Sequence, residues 1–145
     1  MYRKILVALE NGRADAALIA HVRELAGRLG SELILIHVAD GFAARHFQAL
    51  QLAESEEMRA DRAYLGQTAE SLRVTGLVAE VHLAMGDPAA EILRAADAFG
   101  CDLIAMATHG HRFLGDLLHG STIAEVRHKA TVPVLLVRGE IKRVK

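Results

Sequence analysis

Short apolar runs, set apart by segments of helical periodicity, constrain this chain more than any other feature. "KILVAL" at 4–9 and "LILIHV" at 33–38 are nearly unbroken apolar stretches bounded by polar residues or glycine, the pattern of strands covered on both faces. Between them Leu18, Val22, Leu25 and Leu29 recur at helical spacing, and Gly30 offers a left-handed stop. After a loop "ADGFAAR", the polar, helix-prone stretch from Phe47 to about Val74 places Leu50, Met58, Leu65 and Leu72 on one face, which predicts a long helix. "LVAEVHL" alternates through Leu77, Ala79, Val81 and Leu83 and reads as a strand near a sheet edge. In "GDPAAEILRAADAFG", Asp87 can cap a helix, Pro88 can enter its first turn and Gly100 can end it. "DLIAMA" is a fourth strand, 121–130 a helix with Ile123 and Val126 inward, and "VPVLLVR" a fifth strand.

Strands alternating with helices require right-handed crossovers and hence a parallel sheet. The expected fold is α/β: a doubly wound, five-stranded parallel sheet sandwiched by helices, Rossmann-like. At 145 residues the chain reads as one domain spanning 1–145, without repeats or linkers. A net charge of -1 argues against nucleic-acid binding, since gripping a phosphate backbone needs a basic stripe. The basic tail "RGEIKRVK" is short enough to be a solvated end. Cys101 alone cannot build a disulfide framework and reads as a small buried hydrophobe in a reducing compartment. No window approaches the ~20 apolar residues of a membrane span, and "MYRKILVALENG" lacks a leader pattern. A cytoplasmic protein is expected.

Ligands of such sheets bind beyond the carboxyl ends of the strands, where the winding reverses. The first strand exits into "ENGR", the second into "HVADG" and the fourth into "ATHGH"; if the first and fourth are neighbours, these exits share one crevice. Gly110 and Gly120 permit close backbone approach. Gly120-Ser121-Thr122 opens a helix whose free amides and dipole favour an anion, with His109, His111 and Arg112 close in sequence. Local features leave two readings open: a phosphate cradle, or an ordinary helix cap beside solvent-facing histidines. Neither "GK[ST]" nor "GxGxxG" occurs.

At this loop the chain resembles the universal stress protein family, over nearly its whole length. Nucleotide-binding members carry Gly, two residues, Gly, nine residues, then Gly-Ser or Gly-Thr. Here Gly110, nine residues and Gly120-Ser121 match, with Ala107 at the first glycine. "ILVALENG", "LILIHV", "MGDPAAEIL" and "VPVLLVR" also look like the family, in order. The resemblance implies an adenine nucleotide, usually ATP, with Mg2+ as a companion. Phosphates would lie on Gly110, Gly120, Ser121 and Thr122, beside His109, His111, Arg112 and Thr108 and above Ala107. Adenine would meet residues near Val38, including His37, and Glu10 would approach the ribose or a metal-bound phosphate, flanked by Ala8 and Leu9. Met85 and Gly86 would line the remaining wall. Two positions depart from the family: Glu10 replaces Asp, and Ala107 adds a methyl that narrows the site if it faces phosphate and is harmless if its backbone is ordinary.

No catalytic set emerges, because the crevice offers histidines without an evident carboxylate companion beyond Glu10. "HGH" is one residue short of the "HxGH" of nucleotidyl-transferring α/β enzymes and follows a different strand. His109, His111, His119 and His128 could converge on zinc, but loop histidines more often contact phosphate or water. Taken as a core-edge residue, His37 would be hydrogen-bonded rather than a ligand. The expected role is nucleotide-dependent signalling in the stress response, without dedicated turnover. The alternatives are a nucleotide-independent regulatory module and a slow ATPase. If the sheet follows the family order, the strand from Pro133 to Arg138 lies at its edge, and an apolar edge predicts a homodimer, the alternative being a monomer whose tail covers that strand; the regulatory protein partner is unknown.

Overall fold

The computed structural model describes residues 1–39, 56–108 and 120–139. Within them five strands, β1 (Lys4–Ala8), β2 (Glu32–Ala39), β3 (Ala79–Met85), β4 (Leu103–Thr108) and β5 (Val134–Arg138), form one sheet in the order β3-β2-β1-β4-β5. Every pairing is parallel. Four helices cover it: α1 (Asp15–Leu29), α2 (Glu56–Arg73), α3 (Pro88–Ala98) and α4 (Gly120–Lys129). The winding reverses between β1 and β4, the placement expected of a doubly wound sheet.

Strand alternation divides the core into two layers. Ile5, Val7, Leu33, Leu35, Leu103 and Ala105 face α1 and α2, where Leu18, Val22, Leu65 and Leu72 close over them. Leu6, Ala8, Ile34, Ile36, Ile104 and Met106 face α3 and α4, against Ile92, Ile123 and Val126. Both faces of the central strands are therefore dry, which explains why β1, β2 and β4 are continuous apolar runs. Each fully buried Leu or Ile contributes ~1.5–3 kcal/mol.

The local signals fall where their chemistry requires. Asp87 caps α3, its carboxylate accepting from the Ala90 amide at 2.9 Å, and Pro88 stands in the first turn. Gly30 ends α1 in the left-handed region, φ 71°, donating to the Ala26 carbonyl, a conformation costly for residues with a β-carbon. Ala26, rather than Leu29, completes the inward stripe of α1; Leu29 is 42% exposed. β3 starts two residues later than the alternation suggested, and Val81 stays 42% exposed at the sheet edge. Leu50 and the 47–55 part of the expected long helix lie outside the described residues.

At the far end of the sheet, Asp102 accepts from the Arg3 and Lys4 amides at 3.0 and 3.1 Å, tying the start of β1 to β4. Burial acts to raise its carboxyl, but the amide bonds outweigh this and hold it below its ordinary value. At the exit end, Gly139 donates to the Thr108 carbonyl and lies against Ala14, where a β-carbon on Gly139 would come within 2.7 Å of the Ala14 methyl.

Candidate functional site

Parallel topology puts the exits of β1, β2 and β4 at the same end as the first turn of α4. Ala8, Leu9 and Glu10 leave β1 with at most 9% exposure, and Leu9 continues the ladder by donating to Ile36. Val38 near the end of β2 is buried, and Met85 at the end of β3 is exposed. Gly86 follows with φ 130°. Thr108 closes β4; Gly120, Ser121 and Thr122 open α4, with Ser121 exposed and Thr122 buried. His109, Gly110, His111, Arg112 and His119 lie outside the described residues.

Ala107 is wholly buried in the layer beneath α1, paired with Val137 in the sheet. Its φ is not in the left-handed region, so its methyl sits in the core without strain. Ala8 and Val38 project to the opposite layer, toward Ile92 of α3. A small cleft at this point is lined by Ala8, Val38, Pro88 and Ile92, among others.

The His37 ring is engaged inside the protein. Its Nδ1 lies 2.9 Å from the Leu9 carbonyl oxygen and its Nε2 3.2 Å from Asp61 Oδ2. With both nitrogens occupied by protein acceptors, the ring has no free position for attack or proton abstraction. The sequence expectation that the histidines lack a carboxylate is thereby corrected for His37: its companion is Asp61 on α2.

Sequence reasoning passed over a second carboxylate, Asp15. It is 1% exposed and gathers the turn that follows β1. Its Oδ1 accepts from the Glu10 amide at 3.0 Å; its Oδ2 accepts from the Asn11 and Gly12 amides at 2.8 and 3.3 Å and from the Tyr64 hydroxyl at 2.6 Å. A buried carboxylate is tolerated when charge-assisted hydrogen bonds replace its water. Burial, and then the bond to Asp15, holds the Tyr64 hydroxyl well above the ordinary range. Asn11 takes φ 61°, a conformation asparagine tolerates better than most residues, and donates through Nδ2 to Asp61 Oδ1 at 3.1 Å. The available signal was an acid at a helix start and another on the inward stripe Met58, Asp61, Leu65 of α2.

Among the described residues no group of three or more His, Cys, Asp or Glu side chains is arranged to hold a metal, and His128 is exposed in the last turn of α4, away from the exits. No helix among them is long and apolar enough to cross a membrane.

A family model described as "Universal stress protein family" matches residues 1–138. Universal stress protein YxiE of Bacillus subtilis is 28% identical over 150 residues, covering 95% of this chain and all of that protein. The solved structure of MJ0577, a universal stress protein of Methanocaldococcus jannaschii, superposes with a TM-score of 0.79 at 26% identity, over 97% of this chain and 98% of that one. The Archaeoglobus fulgidus universal stress protein in complex with dAMP, 22% identical, matches in fold with a TM-score of 0.70 over 94% and 98% of the two chains.

Proposed function

The chain belongs to the universal stress protein family, and on that premise we propose that it binds an adenine nucleotide, ATP with Mg2+, in the crevice between the exits of β1 and β4. The observation that carries the reading is the position of Gly120-Ser121-Thr122: the three residues open α4 at the carboxyl end of the sheet, beside the reversal of winding. The first turn of a helix carries the positive end of its dipole, which suits a phosphate.

The other residues fit the ligand in chemistry. Ala8 and Val38 offer an apolar floor to a base, and Glu10 a carboxylate to the sugar or to Mg2+. Thr108, His109, Gly110, His111 and Arg112 would complete the phosphate loop, with Met85 and Gly86 on the wall. The A. fulgidus relative complexed with dAMP supports a nucleotide as the ligand class. The role is binding and signalling rather than turnover. His37, buried and turned toward α2, has both nitrogens engaged. The lone buried Cys101 suits a reducing, cytoplasmic setting.

β5 lies at the sheet edge with Leu136 37% exposed, and pairing with a second copy would satisfy that edge symmetrically. The same edge favours a second reading, a nucleotide-independent docking module.

Thermal unfolding with and without millimolar ATP and Mg2+ separates the two. A ligand bound only by the folded state adds about 2.7 kcal/mol at a hundredfold excess over Kd, so Tm should rise for wild type and not for Gly120→Val. Absence of a shift in wild type, together with no nucleotide in a mass spectrum of the purified protein, would favour the docking module.

A further inference from the structure

Helix α2 carries no family motif and reaches the site only through side chains, yet two of these hold the turn that bears Glu10. Asp61 and Tyr64 stand one helical turn apart on α2 and so share a face. Tyr64 donates to Asp15, the carboxylate that gathers the amides of Glu10, Asn11 and Gly12. Asp61 accepts from the Asn11 carboxamide and meets His37, whose other nitrogen faces the Leu9 carbonyl. The contacts close a ring: from Leu9 through His37 and Asp61 to Asn11, two residues further along the same turn. Both anchors are long-range, 49 residues from Asp15 to Tyr64 and 50 from Asn11 to Asp61, so α2 clamps a turn that local sequence alone would leave free.

We infer that Asp61 and Tyr64 are positioning residues: through Asp15 and Asn11 they fix the backbone at 10–12, and with it the angle at which Glu10 meets the sugar of a bound nucleotide. The inference rests on the nucleotide reading for its functional half. A carboxylate held at one angle can bond the ribose hydroxyls in a defined geometry; a carboxylate on a loose turn loses that selectivity while base and phosphate contacts persist. Discrimination between ribo- and 2′-deoxyribonucleotides is therefore the property that α2 controls.

Two measurements test it. Hydrogen exchange on the ligand-free protein reports the amides of 10–12 directly. Tyr64→Phe removes one charge-assisted bond and should accelerate their exchange by on the order of ten- to a hundredfold, as should Asp61→Ala. Asp61→Asn should rescue, because its carboxamide oxygen can accept from Asn11 while its NH2 donates to the Nε2 of a neutral His37 whose Nδ1 still donates to Leu9. Titration with ATP and 2′-deoxy-ATP should show Tyr64→Phe weakening ATP about tenfold and the deoxynucleotide little. Equal weakening of both would mark a merely structural role and overturn the inference. Wild-type exchange at 10–12 in Tyr64→Phe and Asp61→Ala, with nucleotide binding intact, would overturn it as well. Wild-type protein that binds neither nucleotide would remove the nucleotide reading and the sugar half together, while the exchange result would still decide whether α2 clamps the turn.

Discussion

Gly139→Ala tests how tightly the exit end of the sheet is closed. The added methyl would stand 2.7 Å from the Ala14 methyl and 3.2 Å from Ala14 Cα. Ordinary carbon contacts need ~3.5–4.0 Å, so roughly 1 Å of overlap must be relieved. Neither side yields easily. Gly139 is held by the hydrogen bond its N–H donates to the Thr108 carbonyl at 2.8 Å, and the Ala14 carbonyl accepts from Leu18 at 3.3 Å at the start of α1. The φ of Gly139 lies outside the left-handed region, so alanine brings no backbone penalty and the whole effect is steric. Overpacking of this kind costs ~1–3 kcal/mol, which for a chain this size lowers Tm by about 3–10 °C. Circular dichroism melts and urea titration of four proteins would read it: wild type, Gly139→Ala, Ala14→Gly and the double variant. Ala14→Gly alone should cost ~0.8 kcal/mol for its buried methyl, less a few tenths returned by glycine's tolerance at a helix N-cap. The double variant should recover most of the Gly139→Ala loss, leaving a coupling of at least ~1 kcal/mol. A wild-type Tm for Gly139→Ala, or strict additivity in the double variant, would refute the reasoning.

Burial, reinforced by the charge of Asp102 and opposed by Lys4, pushes the Cys101 thiol up to about 11 from 9.0. Its thiolate is thus disfavoured in the folded state, so the contribution to stability is full below pH 9 and is lost as pH rises toward 11. Labelling by a thiol reagent at pH 8 should be slow in buffer and complete in urea, and Cys101→Ala should flatten the alkaline decline in stability; rapid stoichiometric labelling of native protein would contradict this. At the β5 edge, Leu136→Lys should convert a dimer measured by light scattering into a monomer with little change in Tm, and a wild-type monomer at micromolar concentration would exclude pairing through β5.

Residues whose burial follows from their immediate neighbours were the legible ones. Asp87 and Pro88 announce the start of α3 because capping involves amides three residues away. Leu29 was misplaced because the inward stripe of α1 turns through Ala14, Leu18, Val22 and Ala26, small residues at both ends allowing the helix to lie close to the sheet. The departure at Ala107 could not be weighed from sequence, since the direction of a side chain on a strand depends on register: the pairing of Ala107 with Val137 and its burial under α1 make the methyl a core group.

Asp61 looks like one of many charges on a polar helix, and Tyr64 like a half-buried aromatic. Their roles became visible only when the sheet brought β1, β2 and α2 together.

What the sequence determined by itself was the kind of architecture and the end of it that carries the unusual residues, because both are written in periodicities of a few positions: apolar runs for strands dry on both faces, helical stripes between them, and a glycine-serine helix start after the fourth. Tertiary structure alone decided which polar groups meet. Asp15 with Tyr64, Asp61 with His37 and Asn11, and Gly139 against Ala14 are contacts between residues far apart along the chain. A carboxylate becomes an anchor, and an absent β-carbon a requirement, only once long-range packing has removed the water and fixed the neighbour.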